Sequence, residues 1–295
     1  MLDSKLIRTI SCYWLTKKGE IMRINIVYFT STGNTLWLAK KSKEIIEQQG
    51  HEVKLYEVIN EGEAFLKDDC DMIGVYYPVW DYLLPKPLHD FVLDKMPEGN
   101  GKRIFFIGTC AGSIANTNLK YKKLMGAKGY NTFYLNHFYM SCNFCLPWFP
   151  FMIFTKVLEG EELNKNLADA EKKLQKICSS VLNLETRLEG KGPYFKFLRW
   201  LKDRGLFIFD FWKKRFSVAK DRCIDCGLCI RMCPTGNISK DKNGNIVFGS
   251  NCIMCVKCYN LCPKDAVLIC KQSINNKKYK RFKGYKGFNP ELYRK

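Results

Sequence analysis

The sequence predicts a doubly wound α/β domain of five parallel strands, followed by a small second domain that is rich in cysteine. Three observations predict this: apolar runs that alternate with amphipathic segments, a Gly/Pro break at 190–193, and eight regularly spaced cysteines after it. The 295 residues are enough for one domain of ordinary size and one small domain. Hydrophobic residues make up 46%, so a sizeable core can be buried and an intrinsically disordered chain is excluded.

Five strands and four helices are predicted before the break. Short apolar runs bounded by glycine or proline are typical of strands that are buried on both faces of a parallel sheet. The predicted strands are 23–29, 51–59, 71–77, 102–108 and 130–139. The predicted helices, which carry apolar residues at helical spacing, are 36–49, 85–93, 114–128 and 161–188. Gly50 and Gly129 end two of these helices.

The turn after the first strand is rich in hydroxyl side chains. It comprises Thr30, Ser31, Thr32, Gly33, Asn34 and Thr35. A turn of this kind before a helix suits an anion, because backbone N–H groups and the positive end of the helix dipole point towards it. The pattern Gly-x-x-x-x-Gly-Lys does not occur here, so this is not a nucleotide-triphosphate loop. The alternative is a turn whose hydroxyls only cap the helix.

Residues 28–35, Tyr-Phe-Thr-Ser-Thr-Gly-Asn-Thr, resemble the phosphate loop of flavodoxins, and the resemblance covers about residues 22–188. It implies a flavodoxin-like fold that binds FMN. The side chains expected around the phosphate are those of Thr30, Thr32, Asn34 and Thr35. The resemblance also implies two loops that clasp the flavin ring. Their residues are Pro78, Val79 and Trp80 in the first, and Thr109, Cys110, Ala111 and Gly112 in the second.

An aromatic side chain at Trp80 or Tyr82 is expected to stack on the flavin ring, with packing of Trp80 on its own loop as the alternative. Segment 140–143 is expected at the ring edge. Three features depart from the flavodoxin pattern. The chain is basic, no glycine lies in 80–83 where many members turn a peptide towards the flavin, and Leu36 stands where many have a carboxylate.

Eight cysteines form two copies of one pattern, 29 residues apart. The copies are Cys223-x2-Cys226-x2-Cys229-x3-Cys233-Pro234 and Cys252-x2-Cys255-x2-Cys258-x3-Cys262-Pro263. A [4Fe–4S] cluster has four irons, each of which takes one thiolate. The helix after each three-cysteine loop carries the fourth cysteine away, so we expect that cysteine to bind the other cluster. The predicted ligand sets are Cys223, Cys226, Cys229 and Cys262 for the first cluster, and Cys252, Cys255, Cys258 and Cys233 for the second.

Zinc and disulfides are the alternatives for these cysteines. A zinc site needs four ligands but has no use for a doubled, cross-wired spacing. Residues 218–270 resemble the bacterial two-cluster ferredoxins, which implies a small α+β domain that shuttles single electrons. No secretory signal is visible, so we expect reduced thiols and a cytoplasmic protein.

Five segments are predicted along the chain: an N-terminal extension, the flavodoxin-like domain, an aromatic and basic linker, the ferredoxin domain and a basic tail. Their bounds are 1–21, 22–189, 190–217, 218–270 and 271–295. We interpret the linker as a bridge between the domains, with a membrane-surface segment as the alternative. The tail is expected to be solvated rather than to bind RNA. Cys142 and Cys145 form a redox dithiol or, as we favour, are ordinary buried thiols.

The net charge of +19 favours acidic partners. We expect an acidic ferredoxin, flavodoxin or reductase as the partner, no transmembrane segment and no nucleic acid. The whole chain resembles the flavodoxin–ferredoxin fusion proteins of anaerobic bacteria and archaea, which implies electron transfer with FMN. Three functions stay open: a carrier that converts between one- and two-electron steps, an FMN-dependent reductase of a small substrate such as a quinone or flavin, and, least favoured, a nucleic-acid-associated redox module that only the charge supports. A flavin edge covered by the ferredoxin domain would favour the carrier, and a pocket open beside Trp80 and Cys110 would favour the reductase.

Overall fold

The N-terminal half is a parallel sheet with helices on both faces. The computed structural model describes residues 20–80, 83–114, 116–144, 156–189 and 212–290. The strands of the sheet are β1 (Arg23–Tyr28), β2 (Glu52–Glu57), β3 (Met72–Pro78), β4 (Arg103–Cys110), β5 (Asn131–Tyr139) and β6 (Arg187–Leu188). The helices are α1 (Asn34–Glu47), α2 (Val58–Lys67), α3 (Lys86–Asp90, continued by a π-helical turn at Phe91–Lys95), α4 (Thr117–Ala127) and α5 (Gly160–Leu182).

The strand order is β2-β1-β3-β4-β5-β6, with every neighbouring pair parallel. The order of the first five strands is that of the flavodoxin-like fold, and it reverses direction between β1 and β3. Ligands of such sheets bind at the carboxyl ends of the strands beside this reversal. The predicted five-stranded doubly wound sheet is therefore confirmed, with β6 as a short addition at one edge.

Alternation of side chains along β1 divides the core into two layers. Ile24 and Ile26 face one layer, which α1 and α5 cover, while Val27 and Phe29 face the other layer with α2, α3 and α4. These four side chains are at most 1% exposed. Burial of each contributes roughly 1.5–3 kcal/mol relative to an exposed position. The two layers fix the carboxyl end of β1, from which the hydroxyl-rich turn departs.

Two elements differ from the sequence predictions. The predicted strand 51–59 ends at Glu57, because the Glu57 carboxylate accepts hydrogen bonds from the backbone N–H groups of Ile59 and Asn60 and so starts α2. The predicted helix 161–188 ends at Leu182. Residues 187–188 instead extend the sheet as β6, beside β5.

The second domain contains two short antiparallel strand pairs and two short helices. They are β7 (Ser217–Val218) with β10 (Val267–Leu268), the hairpin of β8 (Ile238–Lys240) and β9 (Ile246–Phe248), α6 (Leu228–Arg231), α7 (Lys257–Leu261), and a 3-10 turn at Lys271–Ile274. The two copies of the 29-residue repeat have residues with a left-handed backbone conformation at matched positions. The matched pairs are Asp225 with Met254, Gly227 with Val256, and Gly236 with Asp265.

The prediction that the C-terminal tail is solvated is wrong for residues 271–290, the part of the tail that the structure describes. Tyr279 and Phe282 are each 2% exposed and Arg281 is 7% exposed. The guanidinium of Arg281 lies 3.8 Å from the centre of the Tyr259 ring and donates to the carbonyl oxygen of Val267 at 2.9 Å. The positive charges in this segment misled the prediction, because the aromatic residues between them fill the core of the second domain.

Other predicted segments lie largely outside the described residues. These are 1–19 of the extension, 190–211 of the linker, Tyr82 and Cys145. Trp212 and Phe216, at the described end of the linker, are buried in the core of the second domain. Cys142 is buried, and its pairing with Cys145 stays a hypothesis. Among the helices described, none has the length and apolar character needed to cross a bilayer.

Candidate cofactor sites at the domain interface

Four cysteines from both repeats line one cavity of the second domain. They are Cys223, Cys226, Cys229 and Cys262. Burial raises the pKa of the Cys229 thiol to about 11, and the neighbouring thiols of Cys262, Cys226 and Cys223 add to the shift. The structure thus brings the last cysteine of the second copy to the loop of the first.

The other four cysteines converge in the same manner. Burial raises the pKa of Cys258 well above its usual value, and the nearby thiols of Cys255, Cys252 and Cys233 raise it further. Burial likewise raises the pKa of Cys255 to about 12. Binding to a metal deprotonates a thiol, so sites that disfavour the free thiolate can still hold it on iron.

Backbone N–H groups point at the sulfur of each distant cysteine. The N–H of Asn237 donates to Sγ of Cys233 and that of Ala266 to Sγ of Cys262, both at 3.2 Å. Such hydrogen bonds stabilise cluster thiolates and help to set the reduction potential. In the described part of the chain, no three His, Cys, Asp or Glu side chains converge as they would around one metal ion. In a cubane, by contrast, each thiolate binds a different iron.

The hydroxyl-rich turn, which we call the phosphate loop (residues 30–35), leads into α1 at the carboxyl edge of the sheet. Gly33 has a φ of 101°, and no side chain caps the helix that follows it. The first turn of α1 also lacks an acidic residue. The backbone N–H groups at this helix terminus therefore suit a phosphate, and an FMN site must provide donors of this kind. Thr30, Ser31, Thr32 and Thr35 are all buried.

The two predicted ring loops lie beside the phosphate loop. The backbone N–H of Val79 donates to the carbonyl of Thr109 at 2.8 Å, so the loops after β3 and β4 are adjacent. Thr109 also contacts Thr35, with 3.0 Å between their hydroxyl oxygens. Cys110 is buried, Pro78 and Ala111 are half-buried, and Gly112 is exposed at the same edge. Trp80 packs edge-to-face on Phe29 with 5.2 Å between ring centres, so its stacking on a flavin stays a prediction.

The second cysteine loop lies directly on the phosphate loop. The hydroxyl of Ser31 donates to the carbonyl of Cys255. Cys255 packs in the same apolar layer as Phe29, with Trp80 against that layer. The residues that the sequence assigns to two different cofactors thus share one interface.

Two amides and two aromatic rings extend this interface. The Asn260 side chain donates to the carbonyl of Asn143 at 2.7 Å, and the Asn143 side chain donates to the hydroxyl of Thr32 at 3.2 Å. Tyr285 and Phe288, near the C-terminus, pack against the flavodoxin-like core beside Gly33. Sequence reasoning missed these contacts, because nothing local to either segment specifies its partner.

Comparison with protein families identifies the second domain. Residues 222–267 match the family of 4Fe-4S dicluster domains. This part of the chain is a dicluster ferredoxin domain. A stretch of 48 residues is also 38% identical to pyruvate synthase subunit PorD of Methanocaldococcus jannaschii, covering 16% of this chain and 56% of that subunit. The chain thus spans just over half the length of this curated relative.

Solved flavodoxins are similar to the first domain. An archaeal flavodoxin is 15% identical and aligns over 55% of this chain and 99% of its own, with a TM-score of 0.38. The two-electron reduced flavodoxin of Megasphaera elsdenii is 16% identical over 51% of this chain and 98% of its own, with a TM-score of 0.33. The strand order already described is itself that of flavodoxins. The chain joins a flavodoxin-like domain to a ferredoxin domain with two [4Fe–4S] clusters.

Proposed function

We propose that this protein moves electrons within one chain, between its two clusters and an FMN held at the phosphate loop. The observation that carries the proposal is the contact between Ser31 and Cys255, which joins the phosphate loop to the second cysteine loop. Electron transfer needs donor and acceptor close together, and fusion in one chain keeps them so at high effective concentration.

The proposed ligands follow the cross-wired pattern. Cys223, Cys226, Cys229 and Cys262 would hold the first cluster. Cys252, Cys255, Cys258 and Cys233 would hold the second. The shared cavity supports the first set, and the mutual effects of the thiols on their pKa values support both sets.

The phosphate loop would hold the FMN phosphate through the N–H groups at the start of α1 and the hydroxyls of Thr30, Thr32 and Thr35. Asn34 has a buried side-chain oxygen without a hydrogen-bond partner, and its amide nitrogen donates to the carbonyl of Ser141 at 2.9 Å. An unsatisfied buried oxygen of this kind is suited to a ligand hydroxyl. Bound FMN takes one or two electrons with protons, whereas each cluster exchanges one electron.

Residues of the C-terminal part of the chain cover the phosphate loop, and this favours the electron carrier over the FMN-dependent reductase. Cys255, Tyr285 and Phe288 all lie against this edge of the flavodoxin-like domain. A reductase of quinones or other flavins needs the flavin ring open to its substrate. Coverage by the ferredoxin domain instead directs exchange towards the second cluster.

The first cysteine loop is where a partner would deliver electrons. Cys226 is exposed and Ile224 is 57% exposed. Residues 212–290 carry 17 Lys and Arg against 4 Asp and Glu, whereas residues 20–189 carry 20 against 21. This charge would attract an acidic redox protein in the cytoplasm and speed its association.

The proposal is tested by anaerobic purification with cluster reconstitution, followed by measurement of iron, sulfide and FMN. We expect about eight irons and one FMN per chain. A preparation that holds eight irons but does not bind added FMN would contradict the proposal. So would a colourless protein loaded with zinc.

A further inference from the structure

Lys257 is a buried lysine inside the second cysteine motif, between Cys255 and Cys258. It is 4% exposed, and its Nζ lies 5.5 Å from the centre of the Phe29 ring. Phe29 directly precedes the phosphate loop. The ammonium group therefore lies between the second cluster motif and the edge of the sheet where the flavin would bind.

The first motif carries an apolar side chain at the matching position. Leu228 directly precedes the third cysteine of its motif, as Lys257 does, and it is 7% exposed. α6 begins at Leu228 and α7 at Lys257. The two cluster motifs thus differ by a buried positive charge at one equivalent backbone position.

A buried ammonium needs a negative charge nearby, because burial without one is strongly unfavourable. Glu57, which is 3% exposed, supplies part of it. Burial raises the pKa of Glu57, and the charge of Lys257 opposes this rise. One oxygen of Glu57 caps α2, however, and the other is buried without a hydrogen-bond partner. A cluster with four thiolates is the larger negative charge beside Lys257.

We propose that Lys257 raises the reduction potential of the second cluster above that of the first. The inference rests on the proposed function and adds to it the direction of electron transfer between the two clusters. Reduction adds one negative charge to a cluster, and a buried cation next to it stabilises the reduced form. One electron then leaves the first cluster, which is oxidised, and reduces the second cluster, beside the phosphate loop.

The test is a redox titration of the reconstituted holoprotein, followed by electron paramagnetic resonance. Lys257→Met removes the charge with little change in length. We expect the equilibrium ratio of reduced second cluster to reduced first cluster to fall at least tenfold, which is about 59 mV for a one-electron couple. Lys257→Arg should keep the ratio. Lys123→Met, which removes an exposed lysine of α4, should also keep it.

Leu228→Lys is the reciprocal variant, and it should raise the potential of the first cluster. An unchanged ratio in a Lys257→Met protein with full iron and FMN would overturn the inference. If that variant does not assemble its second cluster, an unchanged first-cluster potential in Leu228→Lys would overturn it instead. Missing FMN in the unmodified protein would contradict the proposed function, an outcome distinct from either of these.

Discussion

The two cysteine loops of the ferredoxin domain share a backbone conformation but have different surroundings. Asp225 and Met254 occupy matched left-handed positions, with φ of 54° and 56°. In the first loop Ile224 is 57% exposed, whereas in the second loop Met254 and Cys255 are each 8% exposed. The comparison teaches that one motif, used twice, serves two purposes. The first loop is exposed to solvent, and the second is part of the interface between the two domains.

The largest expected effect comes from substituting the fourth cysteine of a motif, which the cross-wired pattern assigns to the other cluster. Cys262→Ser together with Cys226→Ser should remove one cluster only, leaving about four irons per chain. Cys262→Ser together with Cys255→Ser should remove both clusters, because each would lose a ligand. Iron and sulfide content after anaerobic reconstitution measures the difference. The reverse pattern would mean that each motif closes on its own cluster.

The next effect concerns the phosphate loop under the second cysteine loop. In Gly33→Ala the new Cβ would lie 2.9 Å from the ring of Phe288, at a φ of 101°. We expect FMN to bind at least about tenfold more weakly, or about 1.4 kcal/mol, measured by fluorescence titration of the flavin-free protein.

Gly50→Ala is the matched control for this substitution. Gly50 also has a positive φ, 84°, but has no atom within 4 Å of the new Cβ. Both substitutions place an alanine at a positive φ, which destabilises the backbone by about 1–2 kcal/mol. A difference in FMN affinity between the two variants therefore reports the steric contact at the phosphate loop. Equal loss of FMN affinity in both would contradict the assignment of the phosphate loop.

A smaller effect is expected from the interface amide Asn260. Its side chain donates to Asn143 of the flavodoxin-like domain and accepts from the N–H of Phe282 at 2.9 Å. Asn260→Ala should lower the free energy of unfolding by about 2–3 kcal/mol, because buried partners lose their hydrogen bonds. Thermal unfolding measures the change, with the exposed Asn243→Ala as the control. Equal stability of the two variants would mean that the interface is not formed in solution.

The smallest effect is expected at the exposed first loop. Lys240 forms an ion pair with Asp225 of this loop, and Lys242 follows it on the same hairpin. Lys242→Glu should slow the second-order reduction by an acidic ferredoxin a few-fold at low salt. Lys123→Glu, an exposed site on α4, should have little effect. Equal slowing in both variants would argue against the first loop as the docking surface.

Local patterns predicted most of the fold and both candidate sites. The spacing of the cysteines and the turn at 30–35 are specified within a few residues, so sequence alone locates them. Elements that depend on distant partners were not predictable in this way. β6 exists because Leu188 pairs with Leu135, and Arg281 is buried because it meets Tyr259 and Val267. Lys257 stands out in the sequence only when the two repeats are aligned, because the alignment matches its position with that of Leu228.

Reduction of the flavin by the clusters of the same chain is the most direct test of the account. The holoprotein would be mixed rapidly with a limiting amount of reduced acidic ferredoxin, and flavin absorbance would be followed at several protein concentrations. We predict a final phase of flavin reduction whose rate does not depend on protein concentration, because the electron moves within the chain. A rate that rises in proportion to protein concentration, or clusters that stay reduced beside an oxidised flavin, would contradict it.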